Sequence, residues 1–272
     1  MTTTPRARRV QALVSAPLAL AVLGGCSVAG KSVAPAKTTS NSSTTSTTPA
    51  ATPSTDNLPS TDNLPTASDL FSRAQDVLVR TKTLTIRTTI TVPGGEMSTT
   101  TRRGRIIGTP QALTYTQLDH GTEELRLIGA TLYVKGDATY WGEYATDYAN
   151  RWTRSPDDEW TRTAIEDMAI VPHVDELLEE DSEIVQALTG KAASVTMETL
   201  DGQRMYCVEN ENGVLRAWID PKSNQIRKVE GYGTDGDGTG IDELSGYDGD
   251  YSDIVAPKTT LTRPPVEASS TT

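Results

Sequence analysis

The sequence predicts an α+β fold: an antiparallel sheet curling around helices. Three observations lead there. A stretch of helical periodicity at 68–78 comes first, strand-like runs follow at short spacing, and a helical insert near 161–189 divides them from a second set of strands. Helices gathered apart from runs of strands, rather than alternating with them, define α+β, and short connections join antiparallel neighbours.

The opening helix rests on Leu70, Ala74, Val77 and Leu78, which recur at helical spacing, with Thr66 or Ser68 as N-cap. The period then changes to two. Leu84, Ile86, Ile90 and Val92 share one face of a strand and Thr85, Arg87, Thr89 and Thr91 the other, before Pro93-Gly94-Gly95 turns the chain. Further strands are expected near 98–107, 112–118, 123–129, 131–135, 151–155, 193–200, 203–209, 214–219, 225–232 and 240–247. Asp201-Gly202 is a hairpin signal because both residues tolerate positive φ, and Asp220-Pro221-Lys222-Ser223-Asn224 is a second turn. The insert is read as helical from Ile165, Met168, Val174, Leu177, Leu178, Val185 and Leu188, with a shorter helix over 139–149.

Ahead of this domain the chain has a different character. Residues 1–9 hold Arg6, Arg8 and Arg9 with no acid, and residues 10–25 are uncharged and apolar or small. That is the pattern of an export signal, and the run is short of the about 20 apolar residues a bilayer span needs. It ends in Leu23-Gly24-Gly25-Cys26, which resembles the lipobox of bacterial lipoproteins. The resemblance implies cleavage before Cys26, a thioether-linked diacylglycerol on its sulfur, and a mature protein anchored on the outer face of a cell membrane. Two acyl chains hold stably where one would not. From Lys37 to Thr66, 20 of 30 residues are Ser, Thr or Pro, and Ser-Thr-Asp-Asn-Leu-Pro occurs twice in succession, at 54–59 and 60–65. Such a segment cannot bury enough apolar surface to offset its ordering entropy, so a leash is expected. The predicted organisation is a signal at 1–25, lipidated Cys26 and leash over 26–66, a domain over 67–266, and a tail at 267–272.

Loss of the signal takes away three of the 25 basic residues and none of the 36 acids, leaving a net charge of −14. This argues against nucleic acid, whose binding is built from Lys and Arg contacts to phosphate, and against a polybasic dock on anionic lipid. After Cys26 one cysteine remains, Cys207, in the strand-like Met205-Tyr206-Cys207-Val208, where a buried and inert thiol is expected.

The run Leu132-Tyr133-Val134-Lys135-Gly136-Asp137-Ala138-Thr139-Tyr140-Trp141, then Arg151-Trp152-Thr153, resembles actinobacterial lipoproteins of the LolA-like type. So does Trp218-Ile219-Asp220-Pro221 followed by Ile226-Arg227-Lys228-Val229. The layout of lipobox, leash, helix, strand meander, insert and second meander is similar to that of the LppX/LprG carriers. The resemblance implies an open antiparallel half β-barrel with helices packed on its concave side, capping a hydrophobic cavity for a lipid or glycolipid. Candidate cavity-lining residues are Leu84, Ile86, Ile90, Trp141, Trp152, Leu215 and Ile219. One departure matters: Phe71 is the only phenylalanine and aromatics are 5% of the chain, so a small or filled cavity stays open as an alternative. A tethered protein-interaction or sensor module with a packed barrel is the competing expectation, its protein partner unknown.

No enzyme is expected. His120 lies in a turn and His173 in the insert, and neither accompanies a nucleophile motif. No cofactor motif is present. Asp235-Gly236-Asp237-Gly238-Thr239-Gly240 begins like a calcium loop but puts Gly246 where a bidentate Glu belongs, so no metal site is assigned.

Overall fold

A computed structural model describes residues 64–264, apart from 94, 96 and 233–237. The signal, Cys26 and almost all of the leash lie outside the described residues, as do Asp235 to Asp237 of the calcium-like loop.

Helix α1 (Ala67–Arg80) opens the domain, with Thr66 Oγ1 accepting from Asp69 N at 3.1 Å. Its buried face is Leu70, Phe71, Ala74 and Leu78. A first meander follows: β1 (Thr83–Thr91), β2 (Met97–Arg105), β3 (Gln111–Gln117), β4 (Gly121–Ile128), β5 (Thr131–Gly136) and the short β6 (Thr153–Arg154). Between β5 and β6 lie α2 (Ala138–Trp141), a 3-10 turn and α3 (Ala145–Tyr148). The insert resolves into α4 (Glu159–Met168), α5 (Val171–Leu178) and α6 (Glu183–Thr189). The second meander is β7 (Ser194–Leu200), β8 (Gln203–Glu209), β9 (Leu215–Ile219), β10 (Ile226–Tyr232) and β11 (Thr239–Ser245), and β12 (Leu261–Thr262) ends the described chain.

All twelve strands form one sheet in the order β12-β6-β5-β4-β3-β2-β1-β11-β10-β9-β8-β7. The two meanders meet where β1 pairs antiparallel with β11, in register from Thr85 opposite Ser245 to Thr91 opposite Thr239. Among the described residues only β12 with β6 is parallel. The sheet therefore stays open, and the predicted half-barrel with helices in its concavity is the architecture observed. Gly104 shows how tightly the first meander is drawn: at φ +127° in β2, a Cβ there would run into the Pro110 carbonyl.

The concave face carries two apolar clusters. The larger joins α1, α5 and α6 to β1 and β8–β11 through Leu70, Phe71, Leu84, Ile86, Leu188 and Ile219. The smaller joins α2–α4 to β3–β5 through Leu113, Leu125, Leu132, Val134, Trp141 and Met168. On the outer face, Met205, Cys207 and Trp218 form a third group beneath Arg216 and Lys228, whose cations lie 4.8 and 4.7 Å from the Trp218 ring.

After β11 the chain turns back across the outer face as a strap. Tyr251 shares a hydrogen bond with Thr85 Oγ1 (2.7 Å), Asp253 pairs with Arg103 (2.6 Å), and the Val255 carbonyl accepts from Arg126 (3.1 Å). The strap thus crosses β1, β2 and β4 before pairing beside β6. Beyond it, the Arg263 guanidinium tucks under the sheet edge, 3.9 Å from the Trp160 ring and 2.7 Å from Asp158.

Leu84 is fully buried between α1 and the sheet. Leu84→Ala is expected to lower stability by about 2–5 kcal/mol, the cost of lost transfer energy plus an unfilled cavity. A shift of the urea midpoint with an unchanged slope is the measurement that checks it.

Candidate functional site

The expected cavity-lining residues separate into three environments. Leu84, Ile86, Leu215 and Ile219 do share the concave face, but at 0, 1, 7 and 0% exposure they are sealed under α1, α5 and α6. Residues so covered touch almost no water-sized space, so this half of the concavity is packed core. Ile90 is half-buried near the far end of β1. Trp141 is buried in the second cluster, with Tyr140 edge-on at 5.0 Å and Tyr148 tilted at 5.3 Å. Trp152 departs from the expectation: it lies on the outer face, with Arg126 and Lys135 at 4.5 and 5.8 Å from its ring. The reason is parity. Arg126 and Lys135 alternate with Leu125, Leu127 and Val134, which point inward, and the two cations draw the indole to their side.

The α2–α4 half is built differently from the sealed one. Around Leu113, Leu125, Leu132 and Val134 stand the half-buried aromatics Tyr115, Tyr140, Tyr148 and Trp160. Helix α4 closes this cluster through Thr161, Ala164 and Met168. Its start is fastened by Asp158, which caps Thr161 N at 2.8 Å and accepts from Arg263. Among the described residues, the buried Trp141 Nε1 and Arg263 Nε have no hydrogen-bond partner. Buried polar groups seldom go unpaired, and the Ser155 Oγ and Thr161 Oγ1 hydroxyls are unmatched as well.

Between the two clusters runs a polar seam that composition did not foretell. Arg102, 1% exposed, stands on β2 between Ile86 of β1 and Leu113 of β3. Its Nε donates to the Asp167 carbonyl at 3.2 Å, tying the end of α4 to the sheet. Burial works against its charge, while Asp242 and Asp167 support it. Asp242 accepts from Thr88 Oγ1 at 2.6 Å and is held above the usual carboxylate range by burial. Burial also pushes the Glu123 carboxyl up to about 7, against the hydrogen bond it shares with Tyr140. His173 goes the other way, down to about 4, through burial and the nearby Arg102 charge. No sequence signal separates Arg102 from Arg103; only register turns one inward and the other to Asp253.

His120 sits in the exposed β3–β4 turn, away from His173 in α5. Cys207 is buried, and burial pushes its thiol up to about 12, leaving it neutral at ordinary pH. Among the described residues, no three His, Cys, Asp or Glu side chains gather as a metal would need, and no helix is long and apolar enough to cross a membrane. An open groove of about 490 Å3 lies beside the start of β7, lined by polar groups that include Gln186, Lys191, Asn210 and Glu211.

Fold and site together define an open half-barrel with helices held over an apolar concave face. The chain is similar in structure to LprF from Mycobacterium bovis, at 11% identity and a TM-score of 0.46 over 70% of this chain and 96% of that one. It is also similar to MucB, at 12% identity and a TM-score of 0.34 over 72% of this chain and 64% of that one. MucB bound to MucA from Pseudomonas aeruginosa gives the same TM-score of 0.34, at 11% identity over 70% of this chain and 61% of that one. At such overlap none of these speaks to a ligand or partner here. No protein-family model matches the chain, and no curated protein does.

The raised Glu123 pKa has a defined consequence. The folded state holds the Glu123 proton up to about pH 7 while the unfolded chain releases it near its ordinary 4.5. Stability therefore falls as pH rises from 4.5 to 7 on this account. His173 acts oppositely, with stability lost as pH falls from 6.5 toward 4. Glu123→Gln is expected to stabilise the protein at pH 8 by up to about 3 kcal/mol and to change little at pH 4.5. Thermal melts of both proteins across that range test it; an equal effect at both ends would show that Glu123 is not the titrating group.

Proposed function

We propose that this is an extracytoplasmic lipoprotein, anchored to a cell membrane through Cys26, whose half-barrel binds a hydrophobic or amphipathic ligand beneath the α2–α4 layer. A lipid or glycolipid is the ligand class expected, and the role is carriage or holding rather than chemistry. One observation carries the reading: beneath α4 lies an aromatic and aliphatic cluster with the unpartnered N–H of Trp141 within it and that of Arg263 beside Trp160 at its edge. An acyl chain matches the cluster, and the ester or sugar oxygens next to it match the N–H groups. Entry requires α4 to move, since the cluster is closed. The sealed packing of Leu84, Ile86 and Ile219 favours a second reading, a tethered protein-interaction module with a filled barrel.

Native mass spectrometry of exported Cys26→Ser protein separates the two, because without the anchor any lipid mass belongs to a ligand. A near-stoichiometric lipid is expected. A ligand-free mass, unchanged when lipid is offered, would favour the interaction module. The anchor itself is checked by the wild-type chain, which should carry an added diacylglycerol mass in the membrane fraction that Cys26→Ser lacks.

A further inference from the structure

We infer that this chain forms a two-fold symmetric dimer by pairing strand β7 of one copy antiparallel with β7 of a second. The open sheet has two edges, β12 and β7. Strand β12 is two residues long and Pro264 follows soon after it, which leaves little ladder to extend. Strand β7 runs for seven residues in unbroken register with β8, from Ser194 opposite Glu209 to Leu200 opposite Gln203. Proteins commonly blunt such an edge with Pro, Lys, a bulge or a covering segment. Strand β7 has no Pro, Lys or Arg, and its ladder has no bulge. Its one charge, Glu198, is engaged within its own copy by Arg216 and by Trp218 Nε1 at 3.2 Å.

The hairpin decides which main-chain groups are free. Asp201 and Gly202, both at positive φ, close a two-residue turn, so Leu200 and Gln203 exchange both of their main-chain bonds. Alternation then commits Glu198, Thr196 and Ser194 to β8 and points the N–H and C=O groups of Val195, Met197 and Thr199 off the sheet. The next turn agrees. Asn210 N donates to the Leu215 carbonyl at 3.1 Å, which assigns the even residues of β8 to β9 and the odd ones to β7. Among the described residues no other segment hydrogen-bonds to the main chain of Val195, Met197 or Thr199.

Self-complementarity names the occupant. Free residues must meet free residues, so the two-fold can fall at Thr196, Met197 or Glu198. At Glu198 it sets two carboxylates face to face, which is destabilising. At Thr196 it puts Thr199 opposite Ala193, whose N–H is already given to the Gly190 carbonyl at 3.0 Å. At Met197 every free group is used: Val195 meets Thr199, Met197 meets its own copy, and about six main-chain bonds form. Glu198 then stands opposite Thr196 and meets no second acid. Val195 and Met197 are half-buried against the rim of the larger apolar cluster, which the second copy covers further. Near each end of the shared ladder, the exposed Lys191 and Glu211 of one copy approach the exposed Asp201 and Arg204 of the other, an equal number of each sign. Nothing in β7 would select the side chains of a foreign peptide, whereas its own copy conflicts with it nowhere from 194 to 200.

The inference is independent of the lipid anchor and of what the interior holds. Edge pairing keeps each face of the sheet continuous, so the two half-barrels would stand side by side with their concave faces turned the same way.

Exported Cys26→Ser protein, which cannot be lipidated, is followed by sedimentation over a wide range of concentration. Monomer should pass into dimer as concentration rises, and more readily in salt, which screens the repulsion between two acidic copies. Amide exchange at Val195, Met197 and Thr199 should slow along with it, while Thr196 and Glu198, bonded to β8, are protected throughout. Thr196→Lys, which places a cation opposite Glu198 twice over, should tighten the dimer about fivefold, and Thr196→Glu should loosen it by about the same factor. Met197→Pro removes an N–H that β8 does not use and should abolish the dimer, with circular dichroism confirming that all three variants fold. A chain that stays monomeric overturns the proposal, as does a Thr196→Lys dimer that is looser or a Met197→Pro chain that dimerises like its parent. Protection of the three amides that ignores concentration overturns it too, since a segment of the same chain would then hold the edge. A ligand-free native mass would strike the carrier reading and leave this result standing.

Discussion

The pairing of β1 with β11 is the interaction on which the rest of the molecule depends. Each meander alone would be a strip of sheet with one apolar face and too few helices to cover it. Joined in register from Thr85–Ser245 to Thr91–Thr239, they become one twelve-stranded surface that can curl around six helices. The joining strand is also the one α1 leads into, so Leu84 and Ile86 meet Leu70, Phe71 and Leu78 across a short chain reversal. A local contact is thereby used to organise a pairing between residues far apart in sequence, which limits the loop-closure entropy of an otherwise slow topology.

Two arginines mark where this packing is divided. Arg102 sits between the clusters and holds the end of α4 through the Asp167 carbonyl. Arg263 holds its start through Asp158 and Trp160. Both are buried, and removing a partner from a buried charge costs far more than an exposed pair contributes. Helix α4 is thus fixed to the sheet by polar contacts at its two ends and by a narrow apolar face between them, whereas α1, α5 and α6 are fixed by apolar contacts along their length. The two halves of one concave face are therefore covered in different ways, one by apolar helix faces and the other by a helix pinned at its ends.

Much of the fold was legible. Alternation in Leu84–Val92, the Asp201-Gly202 turn and the helical spacing in 68–78 and 161–189 each led to the observed element within a residue or two, because local propensity and burial agree there. The strap over 246–260 and the two-residue β12 were not foreseen, since they are held by single hydrogen bonds and ion pairs to distant strands and have no periodicity of their own. The candidate site was legible in part. Trp141 lies inside and Trp152 outside, and the turn of chain between β5 and β6 is what divides them.

By itself the sequence determined the class of the domain, the strand and helix periods, the signal-like start and the excess of acid, all of which are local or additive properties. Only the tertiary structure decided which apolar residues become sealed core, and that Arg102 turns inward while Arg103 turns to the strap. The physical reason is register. A strand presents alternate residues to opposite faces, so the environment of every side chain is set by pairings as distant as that of Thr85 with Ser245, and no window of sequence contains them.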